Sequence, residues 1–119
     1  MAWSNKTNIM SAASVAASEQ YSSAVSLNPG ELAHVEIDAN FPASPSDDLT
    51  VNVYGDITGG SPDWDDTPLF SQIIDNGTDP NKISLSLSGL YQFRVGTVRS
   101  GSSDTIVVSI NYRKDGVSL

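Results

Sequence analysis

The chain has 119 residues, with 14 Asp and Glu against 6 Lys and Arg, a net charge of −8 and no cysteine. That length holds one compact domain with a modest core, and a hydrophobic share of 39 % is that of a globular chain. The acidic balance argues against nucleic acid and anionic membrane as partners, and the absence of cysteine excludes disulfide staples and thiolate metal sites and fits folding in a reducing cytosol.

Residues 1–19 are small and Ala/Ser-rich, with Trp3, Ile9, Met10 and Val15 spaced along them. Their lack of a clear stripe predicts an extended or partly helical arm outside the core, ahead of a domain spanning 20–119. The opening MAWSNKTNIM has one Lys and no apolar run, so it does not read as a secretory signal, and no stretch approaches the ~20 apolar residues of a membrane span. From residue 20 onward, strand patterns recur. QYSSAVSL (20–27) alternates and ends in the turn NPGE. ELAHVEIDA (31–39) sets Ala33, Val35 and Ile37 on one face and His34, Glu36 and Asp38 on the other. After a Pro/Ser/Asp loop, LTVNVYGD (49–56) alternates again, followed by the polar loop ITGGSPDWDDTP and by LFSQIID (69–75).

KISLSLS (82–88) is a strict alternation, and SGLYQFRVGTV (88–98) places Tyr91, Phe93 and Val95 on one face with Gln92 and Arg94 between them. RSGSSD reads as a hairpin connection to TIVVSINYR (105–113). Seven to eight short strands with turns every 8 to 12 residues and no helical periodicity predict an all-β fold, an antiparallel β-sandwich of Ig-like or jelly-roll type preceded by an arm. The Gly-Leu-Tyr-x-Phe-x-Val run at 89–95 resembles the start of strand F in Ig-like sandwiches, which implies Tyr91 as a corner tyrosine and Phe93 at a central core position.

Residues for catalysis do not assemble in the sequence. His34 is the single histidine, with Glu36 about 7 Å along the same strand face and no third partner. There is no nucleophile elbow and no phosphate loop in a strand-to-helix context. Asp63, Asp65 and Asp66 around Trp64 lack the spacing of a calcium loop. No enzyme activity, cofactor or metal is therefore expected, and binding or structural roles remain. Charge is segregated: no Lys or Arg occurs between Thr7 and Asn81, while Arg94, Arg99, Arg113 and Lys114 fall in the last quarter. Arg94 and Arg113, on outward positions of two strands expected to be neighbours, would share one sheet face and form a basic edge for acidic partners.

The features MAWSNKT, AVSLNPGELAHVEI, VNVYGDITGG, WDDTPLF, SGLYQFRVG and VSINYRKDG, spread over nearly the full length, resemble small virion proteins of tailed bacteriophages, and among them head decoration (cement) proteins. The resemblance implies a structural protein, made in the host cytoplasm, that binds the major capsid protein on the capsid exterior and braces the head, commonly as a trimer. On this reading Trp3, Ile9, Met10, Val15, Trp64, Arg94 and Arg113 are the candidate partner-binding residues. Two alternatives stay open: a tail, neck or baseplate component, and a carbohydrate-binding adhesion module using Trp64, Tyr54 and the loop between them.

Overall fold

The structure, a computed structural model, describes residues 6–12, 18–42, 46–57, 63–75, 81–101 and 106–115. The described residues form nine strands: β1 (Thr7–Ala12), β2 (Gln20–Tyr21), β3 (Val25–Ser26), β4 (Leu32–Asn40), β5 (Leu49–Asp56), β6 (Phe70–Ile74), β7 (Asn81–Leu87), β8 (Gln92–Arg99) and β9 (Val107–Asp115). They form two antiparallel sheets packed as a sandwich, a four-stranded sheet in the order β1-β9-β4-β7 and a five-stranded sheet in the order β2-β8-β5-β6, with β3 also on β8.

β2 and β3 pair with the same strand and are one strand interrupted at Ser22. There the Ser22 N–H donates to the Val95 carbonyl at 2.8 Å, and the Ser22 hydroxyl accepts from the Val95 N–H at 3.0 Å. Counted so, the sheets interleave first, eighth, third and sixth strands against second, seventh, fourth and fifth, which is the double Greek key of a jelly roll. An Ig-like sandwich would pair the last strand with the one before it. Here β9 lies between β1 and β4, away from β8.

The core follows the alternation. Ala33, Val35, Ile37 and Ala39 of β4, Leu49, Val51 and Val53 of β5, Phe93 and Val95 of β8, and Val108 and Ile110 of β9 are all buried between the sheets. Fully burying each Val, Leu, Ile or Phe side chain contributes roughly 1.5–3 kcal/mol. The turn NPGE enters β4 as a type II turn: Pro29 presets its φ, Gly30 supplies φ 83°, and the Glu31 N–H donates to the Asn28 carbonyl at 3.0 Å.

Three expectations change. Within the segment read as an arm, residues 7–12 form an edge strand of the four-stranded sheet. The register on β9 shifts between Asn8 and Met10, so Ile9 is the extra residue of a bulge, and Ile9 and Met10 both pack against the core although they are adjacent in sequence. The Asn8 side-chain amide nitrogen fixes the bulge, 3.2 Å from the Met10 carbonyl and 3.2 Å from Asn111 Oδ1. Second, the chain after Arg99 crosses between sheets instead of making a hairpin, because β9 pairs with β1 and β4. Arg94 and Arg113 consequently stand on different sheets. Third, Tyr91 is not a core residue. It lies just before β8 and is 55 % exposed, and its backbone does the tying: its N–H donates to the Asp56 carbonyl at 2.9 Å and its carbonyl accepts from the Leu27 N–H at 2.8 Å.

Candidate protein-binding face

β8 runs through the middle of the five-stranded sheet. With Phe93 and Val95 directed into the core, Arg94 and Gly96 belong to the outer face. Register places Tyr54 of β5 opposite Arg94, and Asn52 of β5 and Tyr21 of β2 opposite Gly96. Gly96 therefore leaves a gap in a row of large polar side chains, and Glu19 fills it. A Cβ at this position would collide with the Glu19 carboxylate. Through the gap Glu19 accepts hydrogen bonds from the Tyr54 hydroxyl at 3.0 Å, the Asn52 amide at 2.9 Å and the Tyr21 hydroxyl at 3.1 Å. The Ser71 hydroxyl donates to Asn52 Oδ1 at 2.7 Å, which carries the network onto β6 and so across the whole sheet.

Arg94 is held by rings. Its guanidinium carbon lies 3.8 Å from the Tyr21 ring centre, 4.6 Å from that of Trp64 and 6.0 Å from that of Tyr54. Tyr21 and Tyr54 meet edge to face at 5.8 Å. Guanidinium over an aromatic face is favourable by about 0.5–1 kcal/mol at exposed sites and more when water is excluded. The loop that carries Trp64 is anchored by the Asp65 N–H, which donates to the Gly55 carbonyl at 3.1 Å. Asp63 and Asp66, on either side of Trp64 in the sequence, are exposed.

This arrangement does not favour acid–base chemistry. Burial, then the bond to Glu19, push the Tyr54 phenol up to about 12, and the hydrogen bond to Glu19 is the main cause that raises Tyr21. Both phenols stay protonated near neutral pH and serve as donors to a carboxylate whose lone pairs they occupy. Among the described residues, no three His, Asp or Glu side chains converge on a common point, Asp63, Asp65 and Asp66 included. What the cluster offers is a rigid, preorganised surface of Trp, Tyr and Arg.

The face unites two of the residues singled out in the sequence, Trp64 and Arg94. Ile9 and Met10 are half-buried on the edge strand β1 and pack against the core, Arg113 lies on the outer face of the other sheet, and Trp3 and Val15 fall outside the described residues. Glu19, Tyr21 and Asn52 were not anticipated as parts of a site. The signal for them was Gly96, a glycine inside a strand of large residues, which marks close approach by another group. His34 and Glu36 do share a face, but their partners differ: His34 Nδ1 is 3.4 Å from the Ser86 hydroxyl, and Glu36 pairs with Lys82 at 3.1 Å.

Gly96→Ala tests the packing directly. The methyl displaces Glu19, and overpacking of this kind costs about 1–3 kcal/mol of stability in denaturant unfolding. In the Glu19→Ala background the collision partner is gone, and the same substitution is expected to cost less than half as much. Equal costs in both backgrounds would show that Glu19 does not occupy the gap.

A scan against protein-family models and a search of curated proteins both return no match to this chain.

Proposed function

We propose that the chain is a structural virion protein of the capsid-decoration type, made in the host cytoplasm, which binds the major capsid protein on the outside of the assembled shell and braces it. The observation that carries this reading is the cluster on the five-stranded sheet, where the Arg94 guanidinium stacks on the rings of both Tyr21 and Trp64. Trp, Tyr and Arg are the residue types that dominate binding energy at protein interfaces. The network through Glu19 orders Tyr21 and Tyr54 in advance, which lowers the entropy lost on docking. One side of the Trp64 indole is covered by the Arg94 guanidinium, an arrangement that favours a protein partner over a sugar ring stacked on that side. The resemblance to phage virion proteins supplies the capsid as partner and self-association, as a trimer, as the oligomeric form.

Binding to the assembled shell and not to free subunits stabilises the shell by mass action, and many copies of a modest interface sum to a large effect. Mixing the protein with purified shells of the major capsid protein and sedimenting the shells tests the reading. Wild type is expected to co-sediment saturably, and Trp64→Ala and Arg94→Ala each to bind at least about 10-fold more weakly, the loss expected at a hot spot. Unfolding midpoints of both variants, measured alongside, establish that they fold. Variants that fold and bind shells like wild type would overturn the assignment of this face. Wild-type protein that ignores shells but binds tails, or glycans in a Trp64-dependent way, would overturn the capsid reading itself.

A further inference from the structure

The outer face of the four-stranded sheet carries a groove of about 400 Å³ lined by Lys6, His34, Glu36, Asn111, Tyr112 and Arg113. Two adjacent rows of register build it, His34 opposite Arg113 and Glu36 opposite Asn111. Lys6 enters from the β1 side and reaches Glu36 at 3.7 Å. The Glu36 carboxylate is engaged by Lys6 and by Lys82, which also contacts Asp38 at 3.7 Å. The lining thus holds two cations and a histidine against one carboxylate already committed to ammonium groups.

Arg113 is the telling residue. The chain has only 6 Lys and Arg for 14 Asp and Glu, so its cations are in short supply. Lys6 and Lys82 bind Glu36, Lys114 binds Glu31 at 3.6 Å, Arg99 pairs with Asp47 at 3.9 Å, and Arg94 is stacked on Tyr21 and Trp64. Among the described residues Arg113 alone has neither a carboxylate nor an aromatic partner, although Asp115 lies two positions along the same strand. It is exposed at the groove, beside an imidazole and a carboxamide.

We infer that this groove is a recognition site for an acidic peptide segment, with Arg113 taking a carboxylate of the segment and Lys6 supplying the second positive charge. A guanidinium receives a carboxylate through two parallel N–H donors, a geometry that a point charge cannot supply. The ladder of Asn8, Ser109 and Asn111, linked at 3.2–3.3 Å, continues the floor with amide and hydroxyl groups suited to a peptide backbone. The overall charge of −8 repels long polyanions, so a short acidic segment fits this local patch better than a nucleic acid does. The site lies on the sheet opposite the Trp64–Arg94 cluster and stands or falls without it. Together the two faces would let one molecule bridge two partners.

The test titrates the full chain, labelled with nitrogen-15, with a capped tetra-glutamate peptide and with a capped tetra-glutamine peptide, in the absence of any shell. Saturable amide shifts centred on His34, Asn111 and Arg113 are expected with the acidic peptide alone, and they should weaken as salt rises. Arg113→Gln is expected to reduce the affinity at least about 10-fold, the loss of a charge-assisted bidentate contact. Lys114→Gln, which removes the same charge from a residue outside the groove, should reduce it less than 3-fold. No saturable shift at millimolar peptide, equal binding of the glutamine peptide, or equal losses in the two variants would each overturn the inference. None of these outcomes bears on shell binding by the other face.

Discussion

Phe93→Ala is expected to lower the unfolding free energy by about 3–5 kcal/mol, the range for removing a buried aromatic ring from a core. Phe93 has no exposed surface and stands on the central strand of the five-stranded sheet, between Val25 of β3 and Gly55 of β5. Its ring meets Tyr112 of the opposite sheet edge to face, with centres 6.5 Å apart at 90°. The ring therefore bridges the two layers, and its loss removes contacts on both sides of the sandwich at once. Collapse around the void is restricted, because the neighbouring backbone is fixed by ladder bonds on either side of β8. Phe93→Leu, which keeps most of the volume, is expected to cost under about 1.5 kcal/mol. The check is the urea midpoint with an unchanged slope. A loss below about 1 kcal/mol for the alanine variant would mean that the sheets pack through other residues.

Asp47→Ala is expected to be nearly as damaging, for an electrostatic reason. Asp47 and Arg99 form an ion pair at 3.9 Å with side-chain exposures of 7 % and 15 %. Gly101 makes room for the aspartate, since a Cβ there would collide with Asp47 Oδ1. Around the pair, the Ser100 N–H donates to the Asp48 carbonyl at 2.9 Å and the Ser100 hydroxyl accepts from the Asp48 N–H at 2.9 Å, which clips the β4–β5 loop to the end of β8. Removing only the carboxylate takes the Asp47 charge away from a largely buried guanidinium, and breaking a buried pair costs up to about 3–5 kcal/mol. Replacing both members by apolar residues of similar volume, Asp47→Leu with Arg99→Met, removes the charge and its need for a partner together. The double variant is therefore expected to be more stable than Asp47→Ala alone. A double variant that loses the sum of both single effects would show that the two side chains are not coupled.

How far the sequence could be read depended on periodicity. Strands 32–40, 49–56 and 81–87 were legible because one face of each is buried and a period of two survives over seven to nine residues. β1 was not, because its bulge turns two consecutive apolar residues, Ile9 and Met10, toward the core and erases the alternation that marks a strand. Alternation also says which face a residue takes without saying which sheet it belongs to. That is why Arg94 and Arg113 were expected together and stand apart. Tyr91 has the parity of Phe93 and Val95, yet it lies beyond the end of β8, where parity no longer means burial.

The candidate site was half legible for a similar reason. Trp64 and Arg94 stand out by residue type, but what orders them comes from distant positions. Glu19 is 33 residues from Asn52 and 35 from Tyr54 in sequence, and it meets both only after β2 pairs with β8. Gly96 was the one local trace of that meeting.

A three-dimensional reconstruction of the intact virion tests the central proposal most directly. It is expected to show sandwich density on the outer surface of the head where capsid subunits meet, with the face bearing Tyr21, Trp64 and Arg94 turned toward the shell. Density confined to the tail or neck, or a head shell with no added sandwich, would contradict it.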